Sequence, residues 1–175
     1  MPQKTSLSEK ILLLRRMEIF EALAVAELAA VASVCQDYEA QPGEVFIKKD
    51  DPGDSMFLIV RGEVSVTQMG EDGCALELAR LGEGDYVGEM SLFDDAPRSA
   101  TVTALGEAHL LVLHKREFEE TVREYPQVAL QICKELSRRV RALHHRIHAM
   151  PVCELPQRAL TDQPPAPAGP PPPTA

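Results

Sequence analysis

Nine of the ten glycines in this 175-residue chain fall between Gly43 and Gly106, where they cut the sequence into short runs rich in Val, Ile and Leu. Runs of that length suit strands joined by tight turns, because glycine reaches left-handed turn conformations that other residues resist. Residues 45–47, 56–60, 64–67, 75–81, 101–104 and 109–113 read as such strands. Their number and spacing predict a barrel or jelly roll, which limits exposed sheet edges.

The flanks have helical period. In 7–17, Ser6 and Glu9 stand at capping-box spacing, and Leu7, Ile11, Leu14 and Met17 share one stripe. A second helix is predicted over 25–36, with Leu28, Val31, Ala32 and Cys35 on its docking face. After Lys115 the period is helical again, first over 118–123 and then beyond Pro126, where Val128, Ile132, Leu136, Val140, Leu143 and Ile147 step by three or four. That stripe predicts one long amphipathic helix ending near Met150. Nine of the 14 prolines lie from Pro151 onward, so 151–175 is expected to be a disordered or polyproline-II tail. The expected organisation is an N-terminal amphipathic helix over 1–19, one domain over 20–150, and that tail.

A hydrophobic fraction of 45% in 175 residues supports one well-buried core. The net charge of −9 repels nucleic acid and acidic membranes at long range, so a bound anion needs a local site. Cys35, Cys74, Cys133 and Cys153 have no paired spacing, which suits free thiols in a reducing compartment, and the cytoplasm is expected. The apolar run 11–14 meets Arg15 and Arg16 at once, so neither export nor membrane insertion is expected from it.

The stretch from Gly84 to Val102 carries the chemistry. Gly88 allows a sharp turn and close backbone approach, and Glu89-Met90-Ser91-Leu92 can form a short helix whose first N–H groups face an anion. Arg98 offers two parallel N–H donors to the exocyclic oxygens of a phosphate diester, a fork that lysine lacks. Glu89 beside a phosphate needs a donor to accept from, and a ribose 2′-hydroxyl is one. Ser99 adds a hydroxyl, and the Ala100 amide can complete the cradle.

This run resembles the phosphate-binding cassette of the cyclic-nucleotide-binding family, which includes bacterial catabolite activator proteins, regulatory subunits of cyclic-AMP-dependent kinase and nucleotide-gated channels. Gly-Glu-Met-Ser at 88–91 and Pro-Arg-Ser-Ala-Thr-Val at 97–102 carry the likeness. Pro42-Gly43-Glu44-Val45-Phe46, Asp51-Pro52-Gly53-Asp54-Ser55-Met56-Phe57 and Gly62-Glu63-Val64 extend it, so that it covers roughly 20–147. It implies a mainly β fold, an eight-stranded double-stranded β-helix (cupin-like jelly roll), with N-terminal helices and a long C-terminal helix. It also implies ligand contacts from Gly88, Glu89, Met90, Ser91, Arg98, Ser99 and Ala100, with Glu89 on the ribose hydroxyl and Arg98 on the phosphate. Two residues depart from the family pattern: Asp50 stands where glycine is frequent, though aspartate tolerates a left-handed turn, and Ala24 replaces a frequent helix-capping hydroxyl.

Other motifs weigh less. Gly82, Gly84 and Gly88 miss the spacing of a dinucleotide fingerprint. His144, His145 and His148 lack a carboxylate partner, so no metal is expected. Lys134, Arg138, Arg139, Arg141 and Arg146 suit the exposed face and C-terminal end of a helix, and no nucleic-acid partner is expected. No nucleophile elbow, phosphate-loop lysine or Cys/His arrangement marks an enzyme.

The expectation is therefore a non-catalytic sensor without a cofactor. Its ligand is a cyclic nucleotide, cyclic AMP favoured over cyclic GMP, and its signal is closure of the last helix, with Arg139 or a neighbour capping the base. The output is a protein partner or a homodimer formed through the terminal helices. The alternative is a ligand-free scaffold that keeps the same fold.

Overall fold

The computed structural model describes residues 4–70 and 73–148. The chain forms two compact units, Met1–Arg138 and Arg139–Ala175; the second is described over 139–148, where it is helical. The tail expected over 151–175 lies outside the described residues.

Helix α1 (Leu7–Arg16) starts on the expected capping box: Glu9 N–H donates to Ser6 Oγ at 3.3 Å, and the Glu9 carboxylate accepts from Ser6 N–H at 2.8 Å. It ends one residue short of the predicted 17, because Met17 is extended. Leu14 and Met17 are buried, but Leu7, expected on their stripe, is 49% exposed. Lys10 is buried instead, since its Nζ donates to Cys35 O at 2.7 Å and keeps a hydrogen bond on leaving water.

Helix α2 (Val25–Val34) lacks a capping hydroxyl at Ala24, and Glu27 reaches back to the Ala24 N–H at 2.7 Å. The prediction carried this helix to Gln36. It stops at Val34 because Gln36 begins β1 (Gln36–Ala40), whose pairing with β8 outweighs the helical period. The remaining strands are β2 (Val45–Ile47), β3 (Ser55–Arg61), β4 (Val64–Met69), β5 (Ala75–Leu81), β6 (Tyr86–Val87), β7 (Thr101–Ala104) and β8 (Ala108–His114). Of the eight, β1 and β6 are missing from the strand-by-strand reading: the first is polar and the second has two residues.

The strands form two antiparallel sheets, ordered β1-β8-β3-β6 and β2-β7-β4-β5, in the expected eight-stranded jelly roll with helices at both ends. Alternation along β3 and β8 explains their unbroken apolar runs. Phe57, Ile59, Leu110 and Val112 meet Ile47, Val64 and Val102 of the other sheet, whereas Met56, Leu58, Leu111 and Leu113 pack with the helical residues Leu14, Leu28, Phe118 and Ile132. Each fully buried side chain of this kind stabilises the fold by about 1.5–3 kcal/mol.

Helix α3 (Lys115–Glu124) follows β8, and α4 (Pro126–His148) follows at once. Val128 and Ile132 of the predicted stripe are buried and Leu136 is partly so, but Val140 is 52% exposed. The side chains of Leu143 and Ile147 lie outside the described ones. Glu135 occupies a buried place on α4 by accepting from Arg138, which also pairs with Glu18.

Candidate functional site

The segment between β6 and β7 turns at Gly88 and then makes a 3-10 turn over Glu89–Leu92, as expected. Gly88 has φ +82°, a left-handed conformation costly for any residue with a Cβ. A Cβ there would also stand 2.6 Å from Arg98 Nη1 and 3.1 Å from Ser55 O. Space and backbone both demand glycine.

Arg98 returns beside this turn and is only 8% exposed. Its Nη1 donates to Ser55 O at 2.7 Å and to Ser91 Oγ at 3.1 Å, with a longer contact to Gly88 O at 3.4 Å. Its Nη2 donates to Ser55 Oγ at 3.1 Å. Among the described residues no carboxylate pairs with it at ion-pair distance. Burial therefore pushes its pKa down, with the Asp54 carboxylate pulling weakly the other way. The ion pair with Glu89, Asp94 or Asp95 that would make this an ordinary solvated loop is not formed: Asp95 pairs with Lys115 at 2.8 Å instead.

The turn that leads into β3 forms the other wall. Asp50 N–H donates to Arg98 O and Arg98 N–H donates to Asp51 O, both at 2.9 Å, zipping the two segments together. Asp50 has φ +69°, the only positive value among the described non-glycine residues, at the position where the sequence departs from the family's glycine. Gly53 lies so close that a Cβ on it would stand 2.8 Å from Arg98 Nε and 2.9 Å from Ser91 Cβ. At the far end, Lys115 N–H donates to Asp54 O at 2.6 Å and its Nζ to Asp94 O at 3.0 Å, tying both walls to the start of α3.

The remaining predicted residues are spread around this pair. Ser91 is buried with its hydroxyl directed at Arg98, Glu89 and Ala100 are partly buried, and Met90 and Ser99 are exposed. Arg139, the residue considered for capping the base, belongs to the second unit, described over 139–148. Ser55 and Gly53 were not singled out as functional. They lie 43 and 45 residues before Arg98 in a run that reads as an ordinary turn entering a strand. The signal available was indirect, since a buried guanidinium must find acceptors somewhere.

A cleft of about 650 Å³ beside α1 mixes Lys4, Arg16 and Arg61 with Glu9, Glu39 and Glu83, and so has no preference for an anion. No helix among the described residues is long and apolar enough to cross a membrane.

Residues 38–125 match the family model for the cyclic nucleotide-binding domain. The chain is similar to a CRP-like cAMP-activated global transcriptional regulator of Mycobacterium tuberculosis, with 25% identity over 83% of this chain and 65% of that protein. It is similar to the cAMP-dependent protein kinase regulatory subunit of Dictyostelium discoideum, with 34% identity over 63% of this chain and 33% of that one. Among solved structures it resembles the N-terminal domain of a transcriptional regulator from Streptomyces coelicolor A3(2), with 30% identity, a TM-score of 0.68, and coverage of 81% of this chain and 99% of that one. The chain thus spans less than two thirds of the length of the two curated relatives. Each of these proteins is a regulator, and two act on transcription, so kinship gives no support to the expected lack of a nucleic-acid partner.

Proposed function

Because the chain belongs to the cyclic nucleotide-binding domain family, we propose that it is a regulatory module whose β-roll takes up a 3′,5′-cyclic nucleotide, cyclic AMP in preference to cyclic GMP. The observation that carries this reading is Arg98, a guanidinium almost withdrawn from solvent and without a paired carboxylate among the described residues. A buried charge of that kind is costly unless a counter-charge meets it, and a phosphate diester is that counter-charge. Gly88 and the turn at Glu89–Leu92 stand against the same guanidinium, where first-turn N–H groups favour a phosphate. Glu89 accepts from the ribose 2′-hydroxyl, and Met90, Ser99 and Ala100 complete the contacts. Two relatives carry cAMP in their names, which supports adenine as the base.

Transmission runs through α4, with Arg139 or a neighbour on the base. The ligand must contact the closed helix better than the open one, since only differential affinity shifts the two populations. The partner is a second copy or another protein engaging the terminal helices. Leu12 on α1 and Leu130 on α4 support this as exposed apolar residues.

Calorimetric titration of the full chain with cyclic AMP and cyclic GMP tests the reading. Tighter binding of cyclic AMP is expected; absence of binding by both at millimolar concentration overturns it in favour of the scaffold.

A further inference from the structure

A guanidinium carries five N–H donors on two usable edges: an end-on edge from Nη1 and Nη2, and a side-on edge from Nε and Nη2. In Arg98 the end-on edge is occupied by a single residue, Ser55, whose carbonyl accepts from Nη1 at 2.7 Å and whose hydroxyl accepts from Nη2 at 3.1 Å. The outer Nη1–H goes to Ser91 Oγ at 3.1 Å. Three donors are spent on holding the side chain. Among the described residues Nε–H and the second Nη2–H meet no acceptor, and they are parallel, as a phosphate with two exocyclic oxygens requires. Gly53 lies beside the clamp, where a Cβ would stand 2.2 Å from Ser91 Oγ and 2.8 Å from Arg98 Nε.

We propose that Ser55 and Ser91 are positioning residues that clamp Arg98 by its Nη1 side, so that the Nε/Nη2 edge is the one offered to the phosphate, with Gly53 leaving room for the Ser91 hydroxyl beside the arginine. The inference rests on the reading of Arg98 as the phosphate donor. Ser91 thereby serves as a support for the arginine, not as a direct ligand hydroxyl. The advantage is preorganisation: a clamped arginine has already lost its rotamer freedom before the ligand arrives, so less of the interaction is spent on ordering it. A clamped fork also fixes which exocyclic oxygen meets Nε–H and which meets Nη2–H, so replacing one or the other by sulfur is not equivalent.

The test uses the full chain, calorimetry, and three ligands: cyclic AMP and the two phosphorothioate analogues in which sulfur replaces one or the other exocyclic oxygen. The parent is expected to bind the two analogues with unequal affinity. In the Ser55→Ala, Ser91→Ala double variant, cyclic AMP should bind about 5- to 30-fold more weakly, and the ratio between the analogues should shrink toward one. The ratio is the decisive reading, because general loosening of the fold lowers both affinities together. Should the double variant not fold, Ser55→Ala alone carries the test. It removes only a hydroxyl and keeps the carbonyl, and about 2- to 5-fold is expected with the same drift in ratio. Parent-like affinity and ratio in a folded variant overturn the clamp while leaving Arg98 as the phosphate donor. If Arg98→Ala binds cyclic AMP as tightly as the parent, the reading of the site falls and the clamp with it.

Discussion

Lys10 Nζ lies 3.0 Å from Asp37 Oδ2, joining α1 to β1 through two side chains almost withdrawn from solvent. Asp37 Oδ1 also accepts from Thr5 N–H at 3.2 Å and lies 3.0 Å from His109 Nε2 on β8. Burial alone would raise this carboxyl, but the hydrogen bonds from Thr5, Lys10 and His109 outweigh it and hold the pKa at about 2. A carboxylate depressed in the folded state contributes its stability above the unfolded value of about 4, and loses it as pH falls toward 2. Urea unfolding followed from pH 5 to pH 2 should therefore show a loss of about 2 kcal/mol attributable to this residue. The Asp37→Asn variant should lack that part of the acid dependence, and an unchanged profile in the variant would refute the assignment.

In the proposed site, Arg98→Ala removes the fork that meets the phosphate. Calorimetry should show a loss of about 2–5 kcal/mol in cyclic AMP binding, roughly 30- to several-thousand-fold. Arg98→Lys should not restore it, because an ammonium cannot supply two parallel donors in a fixed planar fork.

Glu89 is tested through the sugar. The parent should bind 2′-deoxy cyclic AMP about 1.5–3 kcal/mol more weakly than cyclic AMP, the range for a hydrogen bond to a charged group. Glu89→Gln should weaken cyclic AMP by less, since an amide oxygen still accepts. Indifference to the 2′-hydroxyl would remove Glu89 from the site.

Burial divides the stripe of α4 into two energetic classes. Ile132→Ala should cost about 2–5 kcal/mol in urea unfolding, as expected for a buried aliphatic side chain in a packed core. Val140→Ala, at an exposed position of the same period, should change stability by less than about 0.5 kcal/mol.

The thiols separate by environment. Cys35 is buried, and burial pushes its pKa up to about 12, so the reactive thiolate is scarce at pH 8. Cys74 and Cys133 are exposed. Mass spectrometry of the native protein after brief iodoacetamide treatment should find the label on Cys74 and Cys133, and on Cys35 only after unfolding.

Much of this protein was legible one segment at a time. The Ser6–Glu9 cap, the positive φ of Gly88, the strands from β2 onward except the two-residue β6, and the buried start of α4 follow from local chemistry and period, which neighbours in sequence share. So does the left-handed aspartate at 50, since the backbone requirement is local to that turn. The likeness of 84–102 to a phosphate-binding segment is also written in contiguous residues. What only the tertiary structure decided are the pairings between distant segments. Gln36 leaves a helical period because β8 offers it a ladder, Lys10 is buried because a carbonyl and a carboxylate await it, and Arg98 is held by a serine 43 positions away. The physical reason is that a buried polar group is tolerated only with its partners in place, and those partners are chosen by how the sheets and helices close on one another, which periodicity along the chain does not encode.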